Sequence, residues 1–264
     1  MTSLPNLPNI SGTTSRPAPP SVDDLMIFSE NGKNYLVGVD YETFISMNAS
    51  DLRRHLIALG FSARANGAPL SEVDAAIHRV QTKKCVAYVG PLAGKNAGIH
   101  SVAGQKILVT GGPKIIAPDA SVEWPLLRQI LEQMFTPDDP VQLVYFWGWL
   151  AHAYNSLRNG VVSQGQALAI AGRRDSGKSL VQDIISTVLG GRVANPYAYM
   201  TGRTDFNREL FGAEVLMFGD EVASTDYRNR VKFGAFIKQF VVNATQRCHG
   251  KGREAVLLDP LCRG

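Results

Sequence analysis

The sequence predicts an α/β fold in which a parallel-sheet core, incomplete towards the C-terminus, follows a small α+β module and a helical segment. Three observations carry this reading. An apolar run, GQALAIAG, enters a loop bounded by glycines and then an amphipathic helix, SLVQDIISTVLGG. A second apolar run, EVLMFG, delivers two adjacent carboxylates, Asp220 and Glu221. Ahead of both stand two apolar stretches at helical spacing, WPLLRQILEQMF and VQLVYFWGWLAHAY.

Residues 1–22 (MTSLPNLPNISGTTSRPAPPSV) are rich in Pro, Ser, Thr and Asn, too polar to offset ordering entropy, and a disordered tail is expected. Residues 23–122 read as the α+β module. MIFSENGKNYLVGV predicts a hairpin turning at Asn31-Gly32. Ser50 is placed to cap the helix DLRRHLIAL, which stops at Gly60. Ser71 and Asp74 frame the start of a second helix, EVDAAIHRVQ. CVAYV and KILVT read as strands separated by a glycine-rich loop. Two helices followed by strands also fit a winged-helix DNA binder, but a packing scaffold is the plainer reading. GPLAGKN, Gly90 to Asn96, imitates a phosphate loop. It has one residue too few between its glycines, and Asn96 stands where a hydroxyl is needed, so a turn is expected.

Residues 123–158 predict two helices, the second starting at Pro140 with Val141, Val144, Tyr145, Trp147 and Leu150 as its apolar core face. Residues 159–264 hold the core. There Gly172-Arg-Arg-Asp-Ser-Gly177-Lys178-Ser179 fits G-x-x-x-x-G-K-[ST] at every specified place. The glycines let backbone N–H groups face phosphate oxygens. Lys178 would put an ammonium on the β- and γ-phosphates, and Ser179 a hydroxyl on Mg²⁺. The helix that follows points its positive end at the phosphates. Gly172, Asp175, Ser176, Gly177, Lys178, Ser179 and Leu180 are therefore the expected nucleotide contacts, with ATP and Mg²⁺ as cofactors. Asp220 follows Ser179 by 41 residues, room for a helix, a strand and a connection. It would hold the metal, and Glu221 would polarise the attacking water as general base. With Lys178 these form the expected catalytic set, on a P-loop NTPase core of the AAA+-like or RecA-like kind.

The net charge is +4, but eight Lys/Arg against three acids fall between Val222 and Gly264. That local excess, beside a phosphate loop, points to a polyanion; the plainer reading is a solvated charged face. The three cysteines are scattered and imply neither a disulfide framework nor a zinc site, so a reducing, cytoplasmic compartment is expected. The apolar run at 141–154 is shorter than the ~20 residues a membrane span requires. No nucleophile triad or dinucleotide fingerprint is present.

The order of these features resembles the superfamily 3 helicases, in particular the primase-associated helicases of phages, plasmids and large DNA viruses. The likeness rests on FWGWLAHAY, GQALAIAGRRDSGKS, TDFNRELFGAEVLMFGDE and FIKQFVVNATQRCHGKGREA, about half the chain. It implies an ATP-driven homohexameric ring that moves on single-stranded DNA beside a primase domain or subunit. It also implies that Lys251 and Gly252 lie in a hairpin gripping the strand, with Lys238 in the helix before it. In that family a further strand carries a sensor asparagine, and an arginine finger reaches a neighbouring subunit. The sequence stops at LLDPLCRG before either, and Asn243, in an expected helical stretch, is a poor substitute. The expectation is a fragment of a longer ATP-hydrolysing helicase, one that keeps the nucleotide loop but lacks parts that hydrolysis calls on. Two other readings use the same residues: a packaging or origin-loading motor of the wider AAA+ class, and a nucleic-acid-binding module that ATP merely orders.

Overall fold

The computed structural model describes residues 18–135, 139–161, 167–218, 231, 234–238, 243 and 245–260. Two compact units emerge, one formed by residues up to Val37 with Ser46–Lys84, the other by Gly38–Ile45 with the chain from Cys85 onward.

In the first unit, β1 (Ile27–Glu30) and β2 (Asn34–Gly38) pair antiparallel with Glu30 opposite Asn34. Asn31 and Gly32 turn the hairpin at φ 51° and 70°, a region that asparagine and glycine tolerate. After β3 (Phe44–Met47) comes α1 (Ala49–Ala58), which starts earlier than expected. Its cap is Asn48, whose side chain accepts from the Asp51 N–H at 2.9 Å; Ser50 lies inside the first turn. Ser71 caps α2 (Glu72–Lys83), accepting from the Asp74 N–H at 3.1 Å. Ile27, Tyr35, Leu52, Leu56, Val73 and Val80 form the core between hairpin and helices. At the end of α2 the Lys84 ammonium donates to the carbonyls of Val22 and Asp23, each at 3.0 Å, and lies 5.5 Å from the Phe28 ring centre. Burial there lowers its pKa below the usual lysine value.

The second unit opens with β4 (Cys85–Val86), β5 (Tyr88–Gly90), β6 (Gly98–Val102) and β7 (Gln105–Val109). The last three form a mixed sheet in the order β5-β7-β6, with β5 parallel and β6 antiparallel to β7. β6 corrects the sequence reading, which left that stretch as loop. The hairpin turn between β6 and β7 is Ala103-Gly104, both at positive φ, and alanine is not the residue that announces such a turn. The decoy GPLAGKN is a turn between β5 and β6.

Helices α3 (Pro125–Phe135) and α4 (Val141–Asn159) stand where expected, and Gly160 at φ 63° ends the second. The inward face of α4 differs: Phe146, Leu150, Ala153 and Leu157 are buried, whereas Val141, Val144 and Tyr145 are exposed. The first turns of α4 are apolar on all sides, so periodicity there does not select a face. The chain continues through α5 (Lys178–Val188), β8 (Val193–Ala194), α6 (Tyr197–Met200) and a 3-10 helix (Arg208–Gly212). It then forms β9 (Val215–Leu216), β10 (Gln246–Cys248) and β11 (Val256–Leu258).

Among the described residues the parallel-sheet core is much smaller than expected. Beside the phosphate loop, the parallel ladder among these residues is β8 with β9, two residue pairs long. Residues 167–171, read as a buried strand, form no ladder among the described residues: Leu168 and Ile170 are half-buried while Ala167, Ala169 and Ala171 are exposed. The alternation of a strand is there, but no sheet neighbour is found among the described residues. What results is a mixed α/β fold with several small sheets.

Two apolar cores fill this unit, and the stretch from Val215 to Phe218 separates them. Val215 and Met217 pack with Leu131 of α3, Phe146 of α4 and Val181 of α5. Leu216 and Phe218 pack with Tyr88, Ile107, Cys248 and Val256. Extended backbone sends alternate side chains to opposite sides. Just before it, Glu214 is 1% exposed and accepts from Arg192, Nε to Oε2 at 2.9 Å and Nη2 to Oε1. The Gly94 N–H also donates to Oε1 at 2.9 Å. The same guanidinium reaches the carbonyls of Gly111 and Leu92, each at 3.3 Å. Among the described residues no helix is long and apolar enough to cross a membrane.

Removing one partner of a buried, hydrogen-bonded ion pair strands the other. Arg192→Ala is expected to destabilise the second unit by about 3–5 kcal/mol in urea unfolding. Breaking the exposed Arg54–Asp51 pair by Arg54→Ala should cost at most about 1 kcal/mol.

Candidate functional site

The phosphate-loop motif folds as a loop opening directly into a helix. Leu168 and Ile170 anchor its entry on the core shared by α3, α4 and α5. Asp175 at φ 60° and Gly177 at φ 86° turn the backbone through the left-handed region. Glycine serves at 177 for a second reason: a Cβ there would lie 3.3 Å from Met134 Sδ, so the loop nests against α3. Lys178 is the first residue of α5, and the Val181 N–H closes the first helical turn on the Gly177 carbonyl.

The Lys178 ammonium curls back over the loop. Its Nζ donates to the Gly172 carbonyl at 3.1 Å and the Arg173 carbonyl at 2.7 Å. A cation thus sits inside the loop's curve, beside the positive end of a three-turn helix. Arg174 and Asp175 lie on the outer rim, almost wholly exposed and 3.9 Å apart, a pair of little energetic weight. Ser176, Ser179 and Leu180 are also exposed.

Lys178, Ser179 and Gln182 form one side of a cleft of about 440 Å³. Ala167 to Ile170 form another side, Val215 to Phe218 a third, and Trp149 and Ile237 complete it. The volume falls within the range of small-molecule sites. Phe218, two residues before Asp220, lines this cleft. Asp220 and Glu221 lie outside the described residues, so Lys178, Ser179 and the end of the apolar run are what the structure brings together. Residues 231 and 234–238 are helical, with Lys238 exposed and Ile237 on the cleft. Among the described residues, no group of three or more His, Cys, Asp or Glu could hold a metal ion.

Lys251 and Gly252 lie elsewhere, at the tip of an antiparallel hairpin in which Cys248 of β10 faces Val256 of β11. The Arg253 N–H donates to the Gly250 carbonyl at 3.1 Å, and Gly252 takes φ 69°, a left-handed value glycine adopts without strain. Lys251 is exposed and borders a second groove, of about 480 Å³, with Phe206, Arg208 and Glu209. Lys178 and Lys251 therefore line different cavities. Asn243 lies in neither helix nor strand, against the helical reading, and is exposed. Sequence reasoning passed over Arg208, whose guanidinium stacks 4.7 Å from the Tyr88 ring centre, and Gln182, one turn along α5 from Ser179. The helical spacing from Ser179 was the available signal for Gln182. Under the hairpin, burial pushes the Cys248 thiol up to about 11. Burial raises the Tyr88 hydroxyl too, which donates to the Pro91 carbonyl at 2.7 Å.

No family model matches the chain, and no curated protein matches it. Solved structures of the C-terminal region of NrS-1 are similar. An apo structure of its residues 305–718 aligns with a TM-score of 0.58 at 14% identity, covering 90% of this chain and 52% of that one. Two A-form apo structures of the same region align at 0.55 and 14% identity, covering 90% and 91% of this chain. The likeness is one of fold, and the chain spans about half the length of the solved chains it matches.

Lys178→Ala removes the charge inside the loop. Titration with a fluorescent ATP analogue and Mg²⁺ should show binding weakened roughly 10- to 100-fold, as for loss of a charged hydrogen bond. Arg174→Ala, on the exposed rim, should change it by less than about threefold.

Proposed function

We propose that this chain is the nucleotide-binding part of an ATP-dependent DNA helicase, in which ATP hydrolysis drives movement along single-stranded DNA. One observation carries the reading: the Lys178 ammonium held within the glycine-bounded loop at the start of α5, on a cleft that the end of the β9 stretch also lines. The resemblance to superfamily 3 helicases and the shared fold with the NrS-1 C-terminal region support it.

In this reading the residues divide the work. Lys178 exchanges the carbonyls of Gly172 and Arg173 for β- and γ-phosphate oxygens. The loop N–H groups and the α5 dipole neutralise charge as the terminal phosphate leaves ADP. Glu221 accepts the proton of the water that attacks the γ-phosphorus in line with the departing bridge oxygen. The donors fit a magnesium–nucleotide complex: a hydroxyl at Ser179 and a carboxylate at Asp220 would hold Mg²⁺, which, when bound, offsets phosphate charge. Lys251, Gly252 and Lys238 take the phosphodiester backbone of a single strand. The working assembly is a homohexameric ring acting with a primase domain or subunit.

One observation favours a second reading, a nucleic-acid-binding module that ATP orders without turnover. Among the described residues, the parallel ladder beside the loop is two residue pairs long. A core so lightly paired would bind nucleotide more readily than it would transmit hydrolysis.

ATP turnover with and without single-stranded DNA separates the two, measured on this chain and on the full product of its gene. The helicase reading expects DNA-stimulated hydrolysis, abolished by Lys178→Ala, and displacement of a paired strand. Binding of ATP and DNA with no turnover in either protein would sink that reading in favour of the ordered module.

A further inference from the structure

We infer that Asn207 is the positioning residue of the basic hairpin, setting where the Lys251-Gly252 turn stands relative to β9. The inference rests on the reading that this turn takes single-stranded DNA. Asn207 is 3% exposed and makes three hydrogen bonds to the hairpin. Its Oδ1 accepts from the His249 N–H at 2.7 Å, and its Nδ2 donates to the Arg247 carbonyl at 2.9 Å. Its own backbone N–H donates to the His249 carbonyl at 3.0 Å. The grip falls on the residues either side of Cys248, where β10 ends and the turn begins.

The chemistry calls for asparagine. The site needs one donor and one acceptor on a short planar group, aimed at backbone 40 and 42 residues away in sequence. Aspartate would offer acceptors only and would set a carboxylate against the Arg247 carbonyl. A second observation places the turn against the same stretch of chain: a Cβ on Gly250 would lie 2.9 Å from Arg208 Cδ. The hairpin root therefore lies flush on the residue after Asn207.

From Asn207 the chain runs through the 3-10 helix to Glu214 and into β9. Leu216 and Phe218 face the core that holds Cys248 and Val256, while Val215 and Met217 face the core that holds α5. A strand pulling on Lys251 thus pulls, through Asn207, on backbone whose other face borders the phosphate-loop core. Asn207 touches neither DNA nor nucleotide in this scheme; it acts through the hairpin.

The test uses the full chain, a fluorescein-labelled oligothymidylate for anisotropy, and a fluorescent ATP analogue with Mg²⁺. Asn207→Ala should weaken oligothymidylate binding roughly 3- to 10-fold, the scale of one or two lost hydrogen bonds. Asn207→Asp should weaken it comparably, and neither variant should shift the nucleotide affinity. The double variant with Lys251→Ala should bind no more weakly than Lys251→Ala alone, because a misplaced lysine has nothing further to lose. Parental binding by Asn207→Ala would overturn the inference and leave the strand-binding reading intact, as would purely additive losses in the double variant. Equal losses of both ligands would show a general structural role and overturn it too. If the parent chain binds no oligothymidylate, the strand-binding reading falls first and the inference with it.

Discussion

The buried pair of Arg192 and Glu214 is the constraint on which the second unit depends. A carboxylate 1% exposed is tolerated only because a guanidinium and a backbone N–H saturate it. The guanidinium in turn ties down the carbonyls of Leu92 and Gly111. One charge pair thus joins the entrance of β8, the entrance of β9 and two turns of the mixed-sheet region. The imitation phosphate loop at Gly90–Asn96 finds its use here, since Gly94 and Leu92 supply part of the cage, while Lys95 pairs with Asp259 at 3.1 Å just past β11. Its residues hold the entrance of β9 in place.

With its entrance fixed, the stretch from Val215 to Phe218 divides two cores whose contents differ in kind. On one side helices α3, α4 and α5 present long aliphatic and aromatic side chains to the phosphate loop. On the other, short strands pack around Tyr88 and Cys248. Among the described residues, hydrogen bonding across this divider is sparse, and side-chain packing and the charge pair set its place. Strand order matters less here than which face each residue of β9 presents.

Much of this was legible in the sequence. Helical periodicity and capping chemistry located α2, α3 and α5 closely, because Ser71, the prolines and the paired glycines are unambiguous punctuation. The hairpin under Lys251-Gly252 came from the family resemblance and is present in the structure. The failures were equally physical. Ala103 concealed a hairpin by occupying a conformation usually left to asparagine or glycine. The apolar start of α4 offered no contrast from which to choose its buried face. GQALAIAG carries the alternation of a strand, but alternation reports which residues face a core, not whether a neighbour exists to complete a ladder. Asn207 was invisible for a related reason: its partners are 40 residues and more away, and no local pattern marks such a side chain.

If the loop takes a nucleotide as proposed, the way Lys178 is held sets a threshold for what it would accept. Its ammonium is not a bare charge awaiting a ligand, because two main-chain carbonyls already solvate it from within the chain. An arriving anion must displace those oxygens, so the net gain is the difference between two acceptors rather than the full attraction of an ion pair. A small, diffuse anion gains little by the exchange. A polyphosphate, the ligand of the proposed function, would spread several charged oxygens along the loop and the helix end and gain more by it. Under the proposed function the loop would act as an ion exchanger with a built-in counter-ligand, its selectivity set by the two bonds that Lys178 must first give up.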